Sequence, residues 1–148
     1  MSKSEQTLIV DCDGVIADKS TLGDYGNAAP LPFGIEQVNK LHDMGYIIVL
    51  YTARYGDRES GNIHKQYERG YREWTDWLEK YGVKYHHAFM GKPAGAIYID
   101  DKAARVEGDS QDGWMQVWKE VYNLEGKDKY GVKKENRTVR TSKPWRPF

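Results

Sequence analysis

The sequence predicts an α/β protein: a three-layer, Rossmann-like domain built around a mainly parallel central sheet. Short apolar segments alternate along the 148 residues with longer segments in which apolar residues recur every three or four positions. The short segments are apolar without alternation, which is typical of parallel strands buried on both faces. Polar residues follow several of these strands directly, as expected where a parallel sheet builds a ligand site at its carboxyl edge.

The first half of the chain predicts strand, loop, helix and strand. Residues 7–10 form a short apolar run that predicts the first strand. Residues 16–32 are rich in Gly, Asp, Asn and Pro and predict a loop or small hairpin. Apolar residues at helical spacing predict a helix over 35–44, which Gly45 is placed to end. Residues 46–51 have an apolar centre and predict the second strand.

The second half predicts a long helix, two strands and a last helix. The long helix spans 63–81, and Gly82 closes it. Gly61 and Gly70 lower the helix propensity of this stretch, so a late start or one break is expected. The remaining predicted elements are strands over 83–89 and 96–99 and a helix over 114–124.

Charge divides the chain into a main domain, residues 1–125, which is large enough to hold a catalytic site, and a basic tail, residues 126–148. Lys plus Arg equals Asp plus Glu over the whole chain, but the tail has eight basic and two acidic residues. Its net charge of +6 leaves −6 on the domain. Such a tail could steer an anionic substrate, fold back onto the domain, or simply be solvated.

Cysteine usage and hydropathy favour a cytoplasmic location. Cys12 is the only cysteine, which excludes an intrachain disulfide and a cysteine-built zinc site. It lies between two acidic residues that disfavour a thiolate, and Asp18 stands where a cysteine phosphatase needs an arginine. No apolar run is long enough to span a bilayer, so no membrane partner is expected.

Two of the predicted strands end in paired carboxylates. The first runs into Asp11 and Asp13, and Gly14 behind them permits a sharp turn. The fourth ends in Asp100 and Asp101. Because carboxylates repel one another, a fold that gathers them at one sheet edge usually does so around a cation. Asp residues also cap backbone amides at turns, so neither pair is sufficient alone.

Two further segments supply what phosphoryl transfer requires besides a divalent ion. Thr52 follows the second strand, and Lys92 follows the third. A hydroxyl can bond a phosphoryl oxygen, and an ammonium can balance its charge. Asp11 could attack an electrophile, and Asp13 could exchange a proton with a leaving group or water. Asp100 would complete an oxygen-rich shell for Mg²⁺.

Residues 10–16, 50–54, 91–93 and 99–101 resemble the four motifs of the haloacid dehalogenase (HAD) superfamily. The resemblance implies a phosphatase that acts through an aspartyl phosphate with Mg²⁺ as its cofactor. By this resemblance Asp11 is the nucleophile and Asp13 is the general acid and base. Thr52 and Lys92 bind the phosphoryl group. Asp100 holds Mg²⁺ with the Asp11 carboxylate and the Asp13 backbone carbonyl, and Asp101 and Gly14 support the site.

The resemblance also implies a protein without a cap domain. The stretches 16–35 and 54–91 are too short to hold one beside their predicted elements. Capless members act on large substrates or oligomerise, so a homo-oligomer is one expected arrangement. Residues 91–103 are similar to small phosphatases of capsule and sugar biosynthesis. Thr52, Ala53 and Arg54 are similar to the corresponding residues of polynucleotide 3′-phosphatase domains, in which they would bind substrate phosphate.

The sequence therefore predicts a Mg²⁺-dependent phosphomonoesterase that acts on a small sugar phosphate or related metabolite. A nucleic-acid 3′-end phosphatase is the alternative enzyme, since the tail is basic. The alternative outside enzymes is a phosphoacceptor module of the response-regulator type, which also uses acidic pairs, Thr, Lys and Mg²⁺. In that class the phosphorylated Asp follows a middle strand, whereas here the third strand leads to Gly91 and Lys92. An inactive scaffold is disfavoured by the intact Asp11 and Asp13.

Overall fold

A parallel three-stranded sheet forms the centre of the protein, seen in a computed structural model that describes residues 2–19, 23–127 and 133. The strands are β1 (Thr7–Val10), β2 (Ile47–Tyr51) and β3 (His87–Phe89), in the spatial order β1-β2-β3. In register, Val10 lies opposite Leu50, and Leu50 lies opposite Ala88. The predicted α/β class with a parallel sheet is confirmed.

Three α-helices connect and follow the strands: α1 (Pro32–Asp43), α2 (Ile63–Lys80) and α3 (Met115–Leu124). Two short 3₁₀ helices precede β1 and α1, at Ser4–Gln6 and Tyr25–Asn27. Turns and α2 make up the connection from β2 to β3, and the described residues contain no inserted cap domain. None of the described helices is long and apolar enough to cross a bilayer.

The start of α1 is fixed from a distant part of the chain. Pro32 occupies the first turn, where its locked φ suits a helix and its missing N–H is not needed. The N-cap residue, Leu31, has no side chain that can cap. Instead, the Asp109 carboxylate accepts hydrogen bonds from the N–H groups of Phe33 (3.2 Å) and Gly34 (2.6 Å). A carboxylate at a helix N-terminus satisfies free donors and complements the helix dipole.

The second helix runs through its glycine without a break. The Asn62 side chain caps α2 by accepting from the N–H of Lys65 at 3.1 Å. Gly70 is buried in the middle of the helix, and a Cβ there would lie 2.3 Å from the ring of Tyr55. The glycine therefore serves packing rather than ending the helix, and the break expected from propensity does not occur.

The hydrophobic core lies between the sheet and the helices. Its centre is β2, whose Ile48 and Leu50 side chains are fully buried. The helical residues of the core include Val38 and Leu41 of α1, Trp74, Trp77 and Leu78 of α2, and Val121 of α3, and Trp114 lies just before α3.

The predicted fourth strand is wrong. Residues 96–99 form no strand, and the side chains of Ile97 and Ile99 are 78% and 97% exposed. Pro93 has no N–H to donate to a ladder, and its carbonyl accepts a hydrogen bond from the Tyr98 hydroxyl (2.6 Å), which folds the segment on itself. In the described residues β1 is consequently an edge strand, with Ile9 exposed.

Two further predictions concern boundaries. The third strand is shorter than predicted, because the N–H of Val83 closes the end of α2 by donating to the Leu78 carbonyl. The basic tail, residues 126–148, lies outside the described residues except for 126, 127 and 133. Its proposed contacts with substrate or domain stay predictions.

Candidate active site

The carboxyl ends of the three strands bring the predicted motif residues to one edge of the sheet. Asp11 follows β1 and Thr52 follows β2. The N–H of Thr52 donates to the Phe89 carbonyl at 3.0 Å, which extends the pairing of β2 and β3 by one residue. The N–H of Lys92 then donates to the Thr52 carbonyl at 3.2 Å. Backbone hydrogen bonds thus fix Lys92 beside the end of β2.

A tight turn reverses the chain directly after β1. The Cys12 carbonyl accepts hydrogen bonds from the N–H groups of Ile16 (2.9 Å) and Ala17 (3.1 Å). Gly14 has a φ of +84°, a conformation that side chains disfavour. A Cβ at Gly14 would also lie 2.4 Å from Cε of Lys19. The positive φ is the reason the turn favours glycine, as the sequence predicts, since the long Lys19 side chain can move away from an added Cβ.

Asp11 is a partly exposed carboxylate with a cation beside it. Its Oδ1 accepts a hydrogen bond from the N–H of Cys12 (2.8 Å), and Nζ of Lys92 lies 3.6 Å from its Oδ2. Burial raises the pKa of Asp11 and the negative charge of Asp13 adds to the rise, whereas Lys92 opposes it. Burial therefore outweighs the attraction of Lys92 and the hydrogen bond from Cys12 in setting the pKa of this carboxyl group.

Asp13 forms a forked ion pair with a buried arginine. Nε of Arg54 lies 3.2 and 3.1 Å from the two Asp13 carboxylate oxygens, and Nη2 lies 2.8 Å from Oδ1. The Arg54 guanidinium is stacked near the rings of Tyr25 (4.9 Å) and Trp77 (5.8 Å). Its remaining terminal nitrogen, Nη1, donates to the Tyr25 carbonyl at 3.4 Å. Arg54 as a whole is 2% exposed.

Thr52 and Ala53 lie in the turn between β2 and this arginine. The Thr52 hydroxyl oxygen accepts a hydrogen bond from the N–H of Arg54 at 3.2 Å, and Thr52 is fully buried. The Ala53 carbonyl accepts from the N–H of Gly56 at 2.9 Å, so Ala53 belongs to the first turn after β2. Thr52 thus fixes the backbone from which Arg54 reaches Asp13.

Asp100 and Asp101 do not join the other carboxylates. Both are exposed, and Oδ1 of Asp100 accepts a local hydrogen bond from the N–H of Lys102 at 2.6 Å. Among the described residues, no three His, Cys, Asp or Glu side chains are grouped closely enough to hold a metal ion. In this structure Asp100 lies on an exposed segment away from a strand end, because the strand that would carry it to the sheet edge does not form, and its role as a ligand stays a prediction.

Sequence reasoning missed the aromatic surroundings of the arginine. Tyr25 falls in the predicted loop before α1, and Trp77 falls on the packed face of α2. The available signal was the position of Arg54, three residues after a strand end that the sequence placed at the site. Nothing in the sequence shows which acidic residue the arginine would pair with.

The fold and a large part of the sequence are shared with a protein of known structure. A crystal structure of an MCSG target from Vibrio cholerae is 35% identical, with a TM-score of 0.68. The match covers 80% of this chain and 96% of that chain. The two proteins belong to one family. The name of the Vibrio cholerae relative gives no activity, so the comparison supports a shared fold and related sequences and carries no information about function. No family model and no curated protein matches the chain.

Proposed function

We propose that the protein is a Mg²⁺-dependent phosphomonoesterase of the HAD type, which transfers the phosphoryl group of its substrate to Asp11. The observation that carries the proposal is the ion pair between Asp11 and Lys92, in which Nζ lies 3.6 Å from Oδ2. These residues are far apart in the chain, and each belongs to a motif that resembles this superfamily. Their meeting beside Asp13 supports a single reaction centre at the carboxyl ends of the strands.

Asp11 has the properties that a nucleophilic carboxylate needs. Its side chain is 38% exposed, so an incoming phosphoryl group can reach it. Its other carboxylate oxygen is held by the N–H of Cys12, which fixes the orientation of the group. In the first step an Asp11 oxygen bonds to phosphorus, the bond from phosphorus to the ester oxygen breaks, and the alcohol leaves with a proton. Lys92 would contact the phosphoryl oxygens, and the fully buried Thr52 hydroxyl would have to become accessible to do the same.

Asp13 would handle the protons of both steps. Its side chain is 30% exposed and lies two residues after the nucleophile, at the open edge of the site. It would donate the proton that the leaving alcohol takes and accept one from the water that attacks the aspartyl phosphate. The second step breaks the bond between phosphorus and the Asp11 oxygen and releases inorganic phosphate.

The donor set of Asp11 and Asp13 fits Mg²⁺ in part. Both offer oxygen atoms, and both carboxylates are partly exposed at the same edge of the sheet. Asp100, the third ligand implied by the resemblance, lies on the exposed segment after β3 and would have to move towards β1 to take part. When bound, Mg²⁺ would neutralise negative charge on the phosphoryl oxygens.

The proposed substrate class rests on the resemblance of residues 91–103 to small phosphatases of sugar biosynthesis. A phosphate monoester on a small sugar or related metabolite would reach the partly exposed Asp11 directly, since the described residues contain no cap domain. The basic tail, which motivates the alternative of a nucleic-acid end, lies largely outside the described residues. A phosphorylated oligonucleotide therefore belongs in the test as a competitor of the sugar phosphates.

The test is phosphate release from sugar phosphates, mononucleotides and a 3′-phosphorylated oligonucleotide, with and without Mg²⁺. We expect release that requires Mg²⁺ and falls by about 10³-fold or more in Asp11→Asn, because an amide is a poor nucleophile. Asp76→Asn, which neutralises an exposed carboxylate on α2, is the matched control and should keep wild-type turnover. Unchanged turnover in Asp11→Asn would falsify the proposal. Release from the oligonucleotide alone would favour the alternative enzyme.

A further inference from the structure

The most complete set of side-chain contacts at the site belongs to Arg54 rather than to the nucleophile. Three of its hydrogen bonds go to the carboxylate of Asp13, at 2.8 to 3.2 Å, and a fourth goes to the Tyr25 carbonyl. Both terminal nitrogens and Nε are therefore occupied. A planar guanidinium that holds a carboxylate in this forked way fixes both the position and the rotation of the carboxylate.

The surroundings of Arg54 keep it in this one geometry. The rings of Tyr25 and Trp77 lie beside its guanidinium, and its backbone N–H donates to the Thr52 hydroxyl. Trp77 is itself fixed, because its Nε1 donates to the Ala28 carbonyl at 2.9 Å. The Arg54 side chain is 1% exposed, against 30% for Asp13. The arginine thus lies beneath the site, and the carboxylate lies between it and the open edge.

We infer that Arg54 is a positioning residue, which holds the Asp13 carboxylate in the orientation needed to take a proton from water during hydrolysis of the aspartyl phosphate. This inference rests on the proposed function and assigns Arg54 a role different from the binding of substrate phosphate. A phosphate group would have to displace Asp13 from all three hydrogen bonds to reach the guanidinium.

The step in question is balanced by groups already at the site. The water oxygen bonds to phosphorus while the bond from phosphorus to the Asp11 oxygen breaks, and Asp11 is released as a carboxylate. The water proton passes to the Asp13 carboxylate. Arg54 fixes the Asp13 carboxylate by three hydrogen bonds, so the oxygens that receive this proton keep one position and one orientation. It does not touch the phosphoryl group, so formation of the aspartyl phosphate from an activated ester does not depend on it.

Arg54→Lys is the informative variant, because lysine keeps the charge but cannot form the fork. The matched control is Arg58→Lys, which changes an exposed arginine of the same loop that donates to the Gly23 carbonyl. The probe is p-nitrophenyl phosphate, whose leaving group needs no proton. Rapid mixing then separates the burst of p-nitrophenol, which reports aspartyl phosphate formation, from the steady rate, which reports its hydrolysis.

We expect Arg54→Lys to form the aspartyl phosphate within about 3-fold of the wild-type rate and to hydrolyse it about 10- to 100-fold more slowly. The intermediate should then accumulate, and KM for the ester should not rise. Asp13→Asn should show the same accumulation, and adding Arg54→Lys to Asp13→Asn should slow hydrolysis no further. Arg58→Lys should behave as wild type in both phases.

Other results overturn the inference in distinguishable ways. A slower burst with a raised KM assigns Arg54 to phosphate binding, and unchanged rates leave it without a role. A smaller burst amplitude with normal rate constants marks a purely structural residue. If Arg54→Lys does not fold, Arg54→Met, which fills the space between the two rings without a buried charge, is judged by the same criteria. A wild-type protein that releases no p-nitrophenol overturns the proposed function, and the positioning role with it.

Discussion

Cys12 lies between the two proposed catalytic carboxylates, yet its thiol is not available for chemistry. It is fully buried, and burial together with the nearby Asp13 raises its pKa to about 12, against the partial opposition of Arg54. The thiolate is the reactive form, so the thiol of the folded protein is held in an inert state. The buried thiol therefore agrees with the sequence-based argument against Cys12 as a nucleophile, and the assignment of that role to Asp11 stays a prediction.

This gives a prediction for alkylation of the native protein. With the pKa of Cys12 at about 12 rather than 9, iodoacetamide at pH 8 should label the folded chain at least about 10³-fold more slowly than the chain unfolded in guanidinium. Mass spectrometry of timed samples gives both rates, and the unfolded sample is the internal control. Comparable rates would show that the thiol is exposed by easy local opening of the turn after β1.

The individual residues of the site were predictable to different extents. Asp11, Thr52 and Lys92 were placed together from the sequence alone, because parallel strands carry the residues that follow them to one sheet edge. The Asp13–Arg54 pair was not predictable, since the choice of partner depends on how Tyr25 packs over the guanidinium. Such a contact is decided by tertiary packing, and neither spacing nor periodicity encodes it.

At the scale of the element, α2 shows packing prevailing over helix propensity. Gly70→Ala should gain about 1 kcal/mol of helix propensity but lose about 1–3 kcal/mol, because the new Cβ would lie 2.3 Å from the Tyr55 ring. Tyr55 is poorly able to move, since it is buried and its hydroxyl donates to Glu73 at 2.8 Å. We expect a net loss of about 1 kcal/mol in the free energy of unfolding, measured by urea denaturation.

The control for this substitution is Glu68→Ala, at an exposed position of the same helix, which should change stability by less than about 0.5 kcal/mol. A Gly70→Ala protein as stable as wild type, or more stable, would mean that the Tyr55 ring yields freely. In that case the glycine would not be explained by packing.

The wrong prediction of a strand over residues 96–99 also belongs to the scale of the element. The apolar run Ala96–Ile99 has the composition of a buried strand, and composition alone cannot show whether a partner strand is within reach. Here Gly91, with a φ of +88°, and Pro93 redirect the chain after β3. The placement of Asp100 depended entirely on that strand. One wrongly predicted strand therefore separates Asp100 from the predicted metal site, while Asp11 and Lys92 still lie together.

At the scale of the whole molecule, hydrogen bonds join α1 and the residue just before β2 to the region of α3, far along the chain. Nε1 of Trp118 on α3 donates to Gln37 of α1 at 3.1 Å, and the Tyr46 hydroxyl donates to Glu125 at 3.1 Å. Asp109, which lies before α3, holds the first turn of α1. The two residues of each pair lie far apart in the sequence. Predicting each helix from its own periodicity therefore gives no information about these contacts.

The Asp109 contact gives a prediction for global stability. Asp109→Ala would leave the N–H groups of Phe33 and Gly34 without their acceptors at the start of α1, where Leu31 provides no replacement. Loss of a helix cap costs about 1–2 kcal/mol, and Asp109→Asn, which keeps one acceptor oxygen, should lose less. Urea denaturation followed by circular dichroism gives the free energy of unfolding of both variants. The whole fold is expected to lose stability, since α1 packs on the sheet. Glu107→Ala, nearby and exposed, is the control and should stay within about 0.5 kcal/mol of wild type. An Asp109→Ala protein as stable as this control would show that water replaces the carboxylate at no cost, and that α1 does not depend on the far end of the chain for its first turn.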